Sequence, residues 1–344
     1  MIDFRYHLVS IVAVFLALAV GIVLGSTELR GAALTALDRT SSALSAKLNA
    51  ADSENNALQQ QVNGDHAFAQ AAEPVLLAHL LDGKRAVVIT APTAPGSVVN
   101  GITSALGDAG ATVTGQVSLT PKFSDTSASN LSLLDQLTQQ VVPSGMNLGN
   151  GSAQQQAAQV LASALVSAPA SGNQSSDHAS TGQAANSAQS ILSSYSAGGF
   201  LTVSGHPAAG ATLAVIVIPA SPPAGGTSDP ANQAIVALAQ EFGSSAQATV
   251  VAGSSASSGQ GSAISAVRAS NAAGTASTVD DADVVSGQVV VVQALEQQMS
   301  GHKPGSYGTQ SDANSAGPSP APTPSTSASA TSPGNQASKG KAKK

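Results

Sequence analysis

From Leu8 to Gly25 the chain runs eighteen residues without a charged side chain. At about 1.5 Å rise per residue, a helix of that length sits near the short limit for crossing a bilayer. Such a segment is either a cleaved signal peptide or a retained anchor. A signal peptide wants a basic leader, a short apolar run and a small-x-small exit. Here MIDFRYH offsets Arg5 with Asp3, the apolar run is longer than usual, and no such exit follows. The expectation is a signal-anchor helix over 8–25 with a cytoplasmic N-terminus over 1–7. Arg5 precedes the span, and Glu28 and Arg30 follow it. The positive-inside bias then sets the large remainder outside the cytoplasm.

Small residues recur every fourth position through the span at Ala13, Ala17, Gly21 and Gly25. A stripe of this kind lets two helices approach closely in lipid. The chain is rich in Ala and Gly, so composition alone also produces it, but the next segment favours self-association. A stalk is expected over 28–73. From Leu34 a heptad places Leu34, Ser41, Leu48, Asn55 and Val62 at a, and Leu37, Leu44, Ala51, Leu58 and Asp65 at d. Leu at d suits two strands, and an Asn at a fixes register at some cost in stability. The seam residues of a parallel homodimer are therefore Leu34, Leu37, Leu44, Leu48, Asn55, Leu58 and Val62. The rival is a single amphipathic helix lying on its own domain, since Ser41 and Ala51 thin the seam. As a coil, residues 34 to 65 would raise the next domain roughly 45–50 Å from the membrane. Pro74 is expected to end this helix. A separate one follows over VLLAHLLDG, with Leu76, Leu77, Leu80 and Leu81 on one face, His79 facing solvent and Gly83 as stop.

After Arg85 the period changes. AVVIT (86–90), ATVTGQVSL (111–119), GFLTVSG (199–205), TLAVIVIP (212–219) and QATVVAG (247–253) read as strands. Helices are expected over 97–110, closed by Gly110, over 230–242, capped by Asp229, and over 285–299. The fold class is α/β: a mostly parallel sheet over 75–308, with a helical insertion about 124–198. Inside the insertion, helices near 131–141, 153–166 and 183–195 surround a polar linker at 167–182. From 309 to 344 a Ser/Pro/Ala-rich disordered tail is expected, ending in KGKAKK.

Chemistry is sparse. The chain has no cysteine, hence no thiolate nucleophile or thiolate ligand. Between residues 86 and 338, Lys122, Arg268 and Lys303 face eleven Asp/Glu, which does not suit nucleic acid. Gly149 and Gly151, and Gly259 and Gly261, begin G-x-G but meet Gln154 and Ile264 where the third glycine belongs, and neither pair is expected to link a strand to a helix. Asp280, Asp281 and Asp283 could bind a cation or act as paired carboxylates, but a solvated acidic turn before a helix is the commoner arrangement. His206 follows a strand, where catalytic groups often sit, but lacks a partner. His7, His66, His79, His178, His206 and His302 are scattered, and the methionines are only Met1, Met146 and Met299. No catalytic residue, resident cofactor or metal ligand is assigned, and the chain is not expected to be an enzyme.

The run MIDFRYHLVSIVAVFLALAVGIVLGS resembles the opening of the actinobacterial cell-envelope family named for the copper transport protein MctB. The likeness continues through the coil, the AVVIT region, TVDDAD, GQVVVVQAL and PGSYGT. It implies copper transport or efflux and copper homeostasis, with copper as a transported ion and an outer-membrane location. A related branch, similar in anchor and coil, resembles SteB. That branch implies a dimeric scaffold with an envelope or cell-division partner, acting in cell separation and regulation of peptidoglycan hydrolysis. A pore needs a closed barrel or a bundle of spanning helices. One spanning helix, a coil and an α/β head with short buried strands suit a dimeric scaffold or sensor better than a channel.

Overall fold

The computed structural model describes residues 4–166 and 178–319 of the 344 in the chain. It divides into two compact units, Met1–Asp65 and His66–Lys344. The first unit is helical throughout its described residues, as part of α1 (Phe4–Leu77). Leu-, Ala- and Gln-rich sequence without a β-branched run from 34 to 61 favours that conformation.

Two expectations at the end of α1 need correction. Pro74 lies inside the helix rather than ending it. Its missing N–H costs one backbone bond, and the helix stops within a turn, at Leu77. The separate helix over 75–83 is replaced by turns from 78 to 83, held by Leu80 N–H to Leu77 O (3.1 Å) and Leu81 N–H to Ala109 O (2.8 Å). Gly83 takes the left-handed conformation of a stop (φ 70°). Leu77, Leu80 and Leu81 are buried, whereas Leu76 is exposed.

The second unit carries a seven-stranded sheet. β1 (Arg85–Thr90) leads through α2 (Gly96–Asp108) to β2 (Thr112–Leu119). Four helices follow: α3 (Pro121–Ser124), α4 (Ala128–Val141), α5 (Ala153–Leu165) and α6 (His178–Ala197). β3 (Leu201–Gly205) and β4 (Leu213–Val217) precede α7 (Pro230–Ser245), β5 (Ala248–Ala252) and α8 (Ala263–Arg268). β6 (Ser277–Val279), α9 (Val285–Met299) and β7 (Ser306–Tyr307) complete it. The strand order is β3-β2-β1-β4-β5-β6-β7, parallel throughout except for β3, which runs antiparallel to β2.

Period-two alternation sends the strand side chains into two cores. Val87, Ile89, Ala214, Ile216 and Val251 face α5, α7 and the rest of the insertion. Ala86, Val88, Leu213, Val215 and Val250 face α2 and α9, along with Leu77 and Leu81. Burial on both faces explains why these strands are apolar runs rather than half-polar ones. The insertion is therefore structural: Val160, Leu161 and Leu165 of α5 are fully buried over one face of the sheet. Of the linker at 167–182, residues 167–177 lie outside the described residues, and α6 begins at His178.

The tail boundary also moves. Residues 309–319 return hydrogen bonds to the domain: Asn314 N–H donates to Ser306 O (2.8 Å) and Gly308 N–H to Ser315 O (3.0 Å), and Pro318 is buried. Residues 320–344 lie outside the described residues.

Candidate functional site

Open parallel sheets place their ligand sites outside the carboxyl ends of the strands. At that edge, the last residue of α8 organises a charged network. Arg268 is 5% exposed at its side chain and spreads its guanidinium over four partners. Nε donates to Thr278 Oγ1 (2.9 Å), and Nη2 donates to Asp280 Oδ2 (2.9 Å) and to Tyr307 O (2.8 Å). Nη1 donates to Asp312 Oδ1 at 2.5 Å. Asp280 is fully buried, and its Oδ1 accepts from the backbone N–H groups of Thr309 (2.7 Å) and Gln310 (3.3 Å). A buried carboxylate requires such pairing. The segment 304–319 is thereby strapped to the carboxyl edge, with β7 as its hydrogen-bonded rung on β6.

The expected solvated acidic turn is thus corrected at two of its three positions. Asp280 and Asp281 are buried, because Arg268 and the strap close over this edge. Only Asp283 is exposed, accepting from Ser255 N–H (2.8 Å). Asp281 Oδ1 is buried without a hydrogen-bond partner. Burial pushes its carboxyl up to about 6; Asp280 and Asp283 add to the shift, and Arg268 opposes it. The carboxylates of Asp280 and Asp283 thus serve different partners. Among the described residues no three His, Cys, Asp or Glu side chains group to hold a metal ion.

Farther along the carboxyl edge, with β4 and β5 between it and the network, a cleft of about 340 Å³ opens at the ends of β1 and β2 and the start of α2. Its floor is a neutral polar cluster. Thr90 Oγ1 donates to Ser118 Oγ (2.9 Å), and Gln116 Nε2 donates to Ser118 Oγ (3.0 Å). Thr93 on its rim has φ 63°, an uncommon conformation for a β-branched residue. The cleft contains no charged side chain and no histidine.

His206 lies away from both features. It follows β3, which runs antiparallel, so this strand end falls at the amino edge of the sheet. His206 is exposed there and its backbone N–H bonds Thr114 O. His79 is exposed too, with Nδ1 2.8 Å from Asp82 Oδ2. The Gly149–Gly151 pair precedes α5 and follows no strand. Gly259 and Gly261, contrary to expectation, do lie between β5 and α8, but α8 has only six residues, too short for a dinucleotide-binding turn.

The first unit supplies the other candidate surfaces. Tyr6–Gly25, with mean hydropathy 2.9, is the one segment among the described residues long and apolar enough to span a bilayer. Ala13, Ala17, Gly21 and Gly25 lie along it at four-residue spacing, and nothing lies within 4 Å of a Cβ built at either glycine. Leu37, Leu44, Leu48, Leu58 and Val62 are 51–64% exposed, and Asn55 is exposed among them. Leu34 lies in the helix, but its side chain is outside the described residues.

The profile of a family described as "Copper transport outer membrane protein, MctB" matches residues 1–318. The chain belongs to the MctB family. "Copper transporter MctB" of Mycobacterium tuberculosis (strain ATCC 25618 / H37Rv) is 28% identical over 322 residues, covering 92% of this chain and 98% of the relative. The protein of the same description from Mycobacterium leprae (strain TN) is 30% identical over 327 residues, with the same coverage. The family match ends at 318, so it takes in the apolar helix, the heptad segment, the sheet and nearly all of the strap. TVDDAD and PGSYGT, which carry part of the resemblance, build the Arg268 network. Sequence reasoning missed Arg268 and Asp312. The available signal was that Arg268 is the sole arginine after Arg85.

Proposed function

We propose that this protein is a membrane-anchored cell-envelope protein that transports copper and so serves copper homeostasis, acting as a parallel homodimer and without a catalytic step. The observation that carries the reading is membership of a copper-transport family over residues 1–318, anchor included. The relatives are named copper transporters, and copper is cargo in this reading. The apolar helix Tyr6–Gly25 retains the chain in a membrane, with the residues before it on the cytoplasmic side and the α/β domain outside. The family description names the outer membrane, whereas a helix with its N-terminus in the cytoplasm crosses the inner one, so this reading places the anchor in the inner membrane.

Dimerisation rests on where the apolar side chains lie. Between 35 and 65 every large apolar residue falls at a or d, and each is at least half exposed within a single chain. Burying a Leu contributes about 1.5–3 kcal/mol, so five such layers outweigh the cost of a polar Asn55 layer that sets register. Ala13, Ala17, Gly21 and Gly25 offer close packing for the spans of the same two chains. The two cores cover both faces of the central strands β1, β4 and β5, an arrangement unlike that of a membrane barrel. A path across the bilayer would then need spanning helices beyond the two of one dimer.

The test is a deletion strain grown across copper concentrations. Copper sensitivity restored by the full chain, and not by a chain lacking residues 1–25, is expected. Unseparated cells with unchanged copper tolerance would overturn the reading.

A further inference from the structure

One concave site has no part in the copper reading. A cavity of about 240 Å³ lies between α5, the loop before it and α7, lined by Asn147, Gln155, Gln156, Gln159, Glu241 and two glycines. Every side chain in that lining is an amide or a carboxylate. Gln156 is committed to holding the loop: its Nε2 donates to Gly149 O (2.9 Å) and Gly151 O (3.3 Å). Gln155 is aimed by a close approach. A Cβ at Gly151 would fall 2.4 Å from Gln155 Oε1, and Gln155 Nε2 donates to Glu241 Oε1 at 3.4 Å. Gln159 Nε2 donates to Asn147 O (3.3 Å).

After these bonds, the second oxygen of Glu241, the carbonyl of Gln159 and the side-chain amide of Asn147 have no hydrogen-bond partner among the described residues. The available groups therefore mix acceptors with donors and carry one negative charge. No cation lines the cavity, so an anionic ligand would meet only Glu241. No lining residue carries a hydrophobic side chain, so an acyl chain or an aromatic ring finds only the carbon stems of polar residues to pack against. Hydroxyls on adjacent carbons both donate and accept, and they match this set.

We propose that the cavity binds one sugar unit of a neutral, hydroxyl-rich glycan. Glu241 and Gln159 accept from neighbouring hydroxyls, and Asn147 donates. Without an aromatic platform a single ring binds weakly. A polymer meeting two copies of the chain at a membrane gains by effective concentration.

The test uses the full chain in a detergent that lacks a sugar headgroup. Maltohexaose and chitohexaose serve as neutral probes and polygalacturonate as the acidic one, read by saturation-transfer NMR and calorimetry. A neutral oligosaccharide is expected to bind and polygalacturonate not to. Gln159→Ala with Glu241→Gln should weaken binding about tenfold or more, a loss of about 1.4 kcal/mol, with an unchanged thermal midpoint. If that double variant fails to fold, Asn147→Ala on the exposed loop should weaken binding on its own. Absence of binding to both neutral probes, preference for polygalacturonate, or unchanged affinity in folded variants would overturn the proposal. None of these readouts depends on copper.

Discussion

Arg268→Ala is the most informative substitution in the α/β domain. Arg268 and Asp280 are 5% and 0% exposed at their side chains, so water cannot take over when the guanidinium goes. Asp280 keeps the N–H groups of Thr309 and Gln310 but loses its one counter-ion among the described residues, at 2.9 Å. Removing one partner of a buried pair costs about 3–5 kcal/mol, because a charge stays buried and uncompensated. For a domain of this size each kcal/mol shifts the melting midpoint by about 2–4 °C, giving a drop of about 6–20 °C. Thermal unfolding of the full-length protein, followed by circular dichroism, measures it. The accompanying double variant, Arg268→Met with Asp280→Asn, removes the buried charge, keeps an oxygen for the Thr309 and Gln310 N–H groups, and should recover most of the loss. A midpoint lowered by only about 1 °C in Arg268→Ala, or a double variant no better than the single, would refute the view that a buried charge organises this edge.

Other expectations follow the same physics. A Cβ at Gly308, where φ is 126°, would fall 2.1 Å from Asp280 Oδ1, so Gly308→Ala should free the strap and admit protease between 304 and 319 faster than in the parent. The Asp281 carboxyl binds its proton more tightly folded (about 6) than unfolded (3.8). Its contribution to stability is therefore present at low pH and is lost as pH rises from about 4 through 6. Asp281→Asn should remove that dependence and stabilise the fold at pH 7.5 by about 1–2 kcal/mol, seen in denaturant midpoints at two pH values. Tyr195 and Thr138 share a buried hydrogen bond of 2.9 Å, while Thr138 also donates to Leu134 O. Tyr195→Phe should then cost only about 1 kcal/mol by the same melt. Because the chain has no cysteine, Leu58→Cys gives a clean cross-linking probe of the proposed dimer. A disulfide dimer is expected, and its failure to form in membranes would count against a parallel seam.

The sequence made the sheet legible where strands were long and apolar. AVVIT and TLAVIVIP are buried on both faces, and runs of that kind have few alternatives. Caps were equally readable: Asp229 accepts from Ala231 N–H at the start of α7, and Gly110 closes α2 at φ 87°. β6 and β7 were missed because three and two residues carry no periodicity, and Ser-Thr-Val is as polar as a loop. α8 was missed because its six residues sit in a Ser/Gly-rich stretch. The acidic turn was misread for a different reason. Local composition says that Asp280 and Asp281 are charged, but only the fold brings Arg268 and the strap over them. Pro74 was taken as a breaker, yet one missing hydrogen bond in the final turn is tolerable when Leu77 is fully buried just beyond it.

The central proposal is that this chain is anchored in a membrane and moves copper. Cell-associated copper, measured by mass spectrometry in a deletion strain under copper load, tests it most directly. The account predicts that copper rises on deletion, returns to the parent level with the full chain, and stays high with a chain lacking residues 1–25. Equal copper in parent and deletion strain would contradict it.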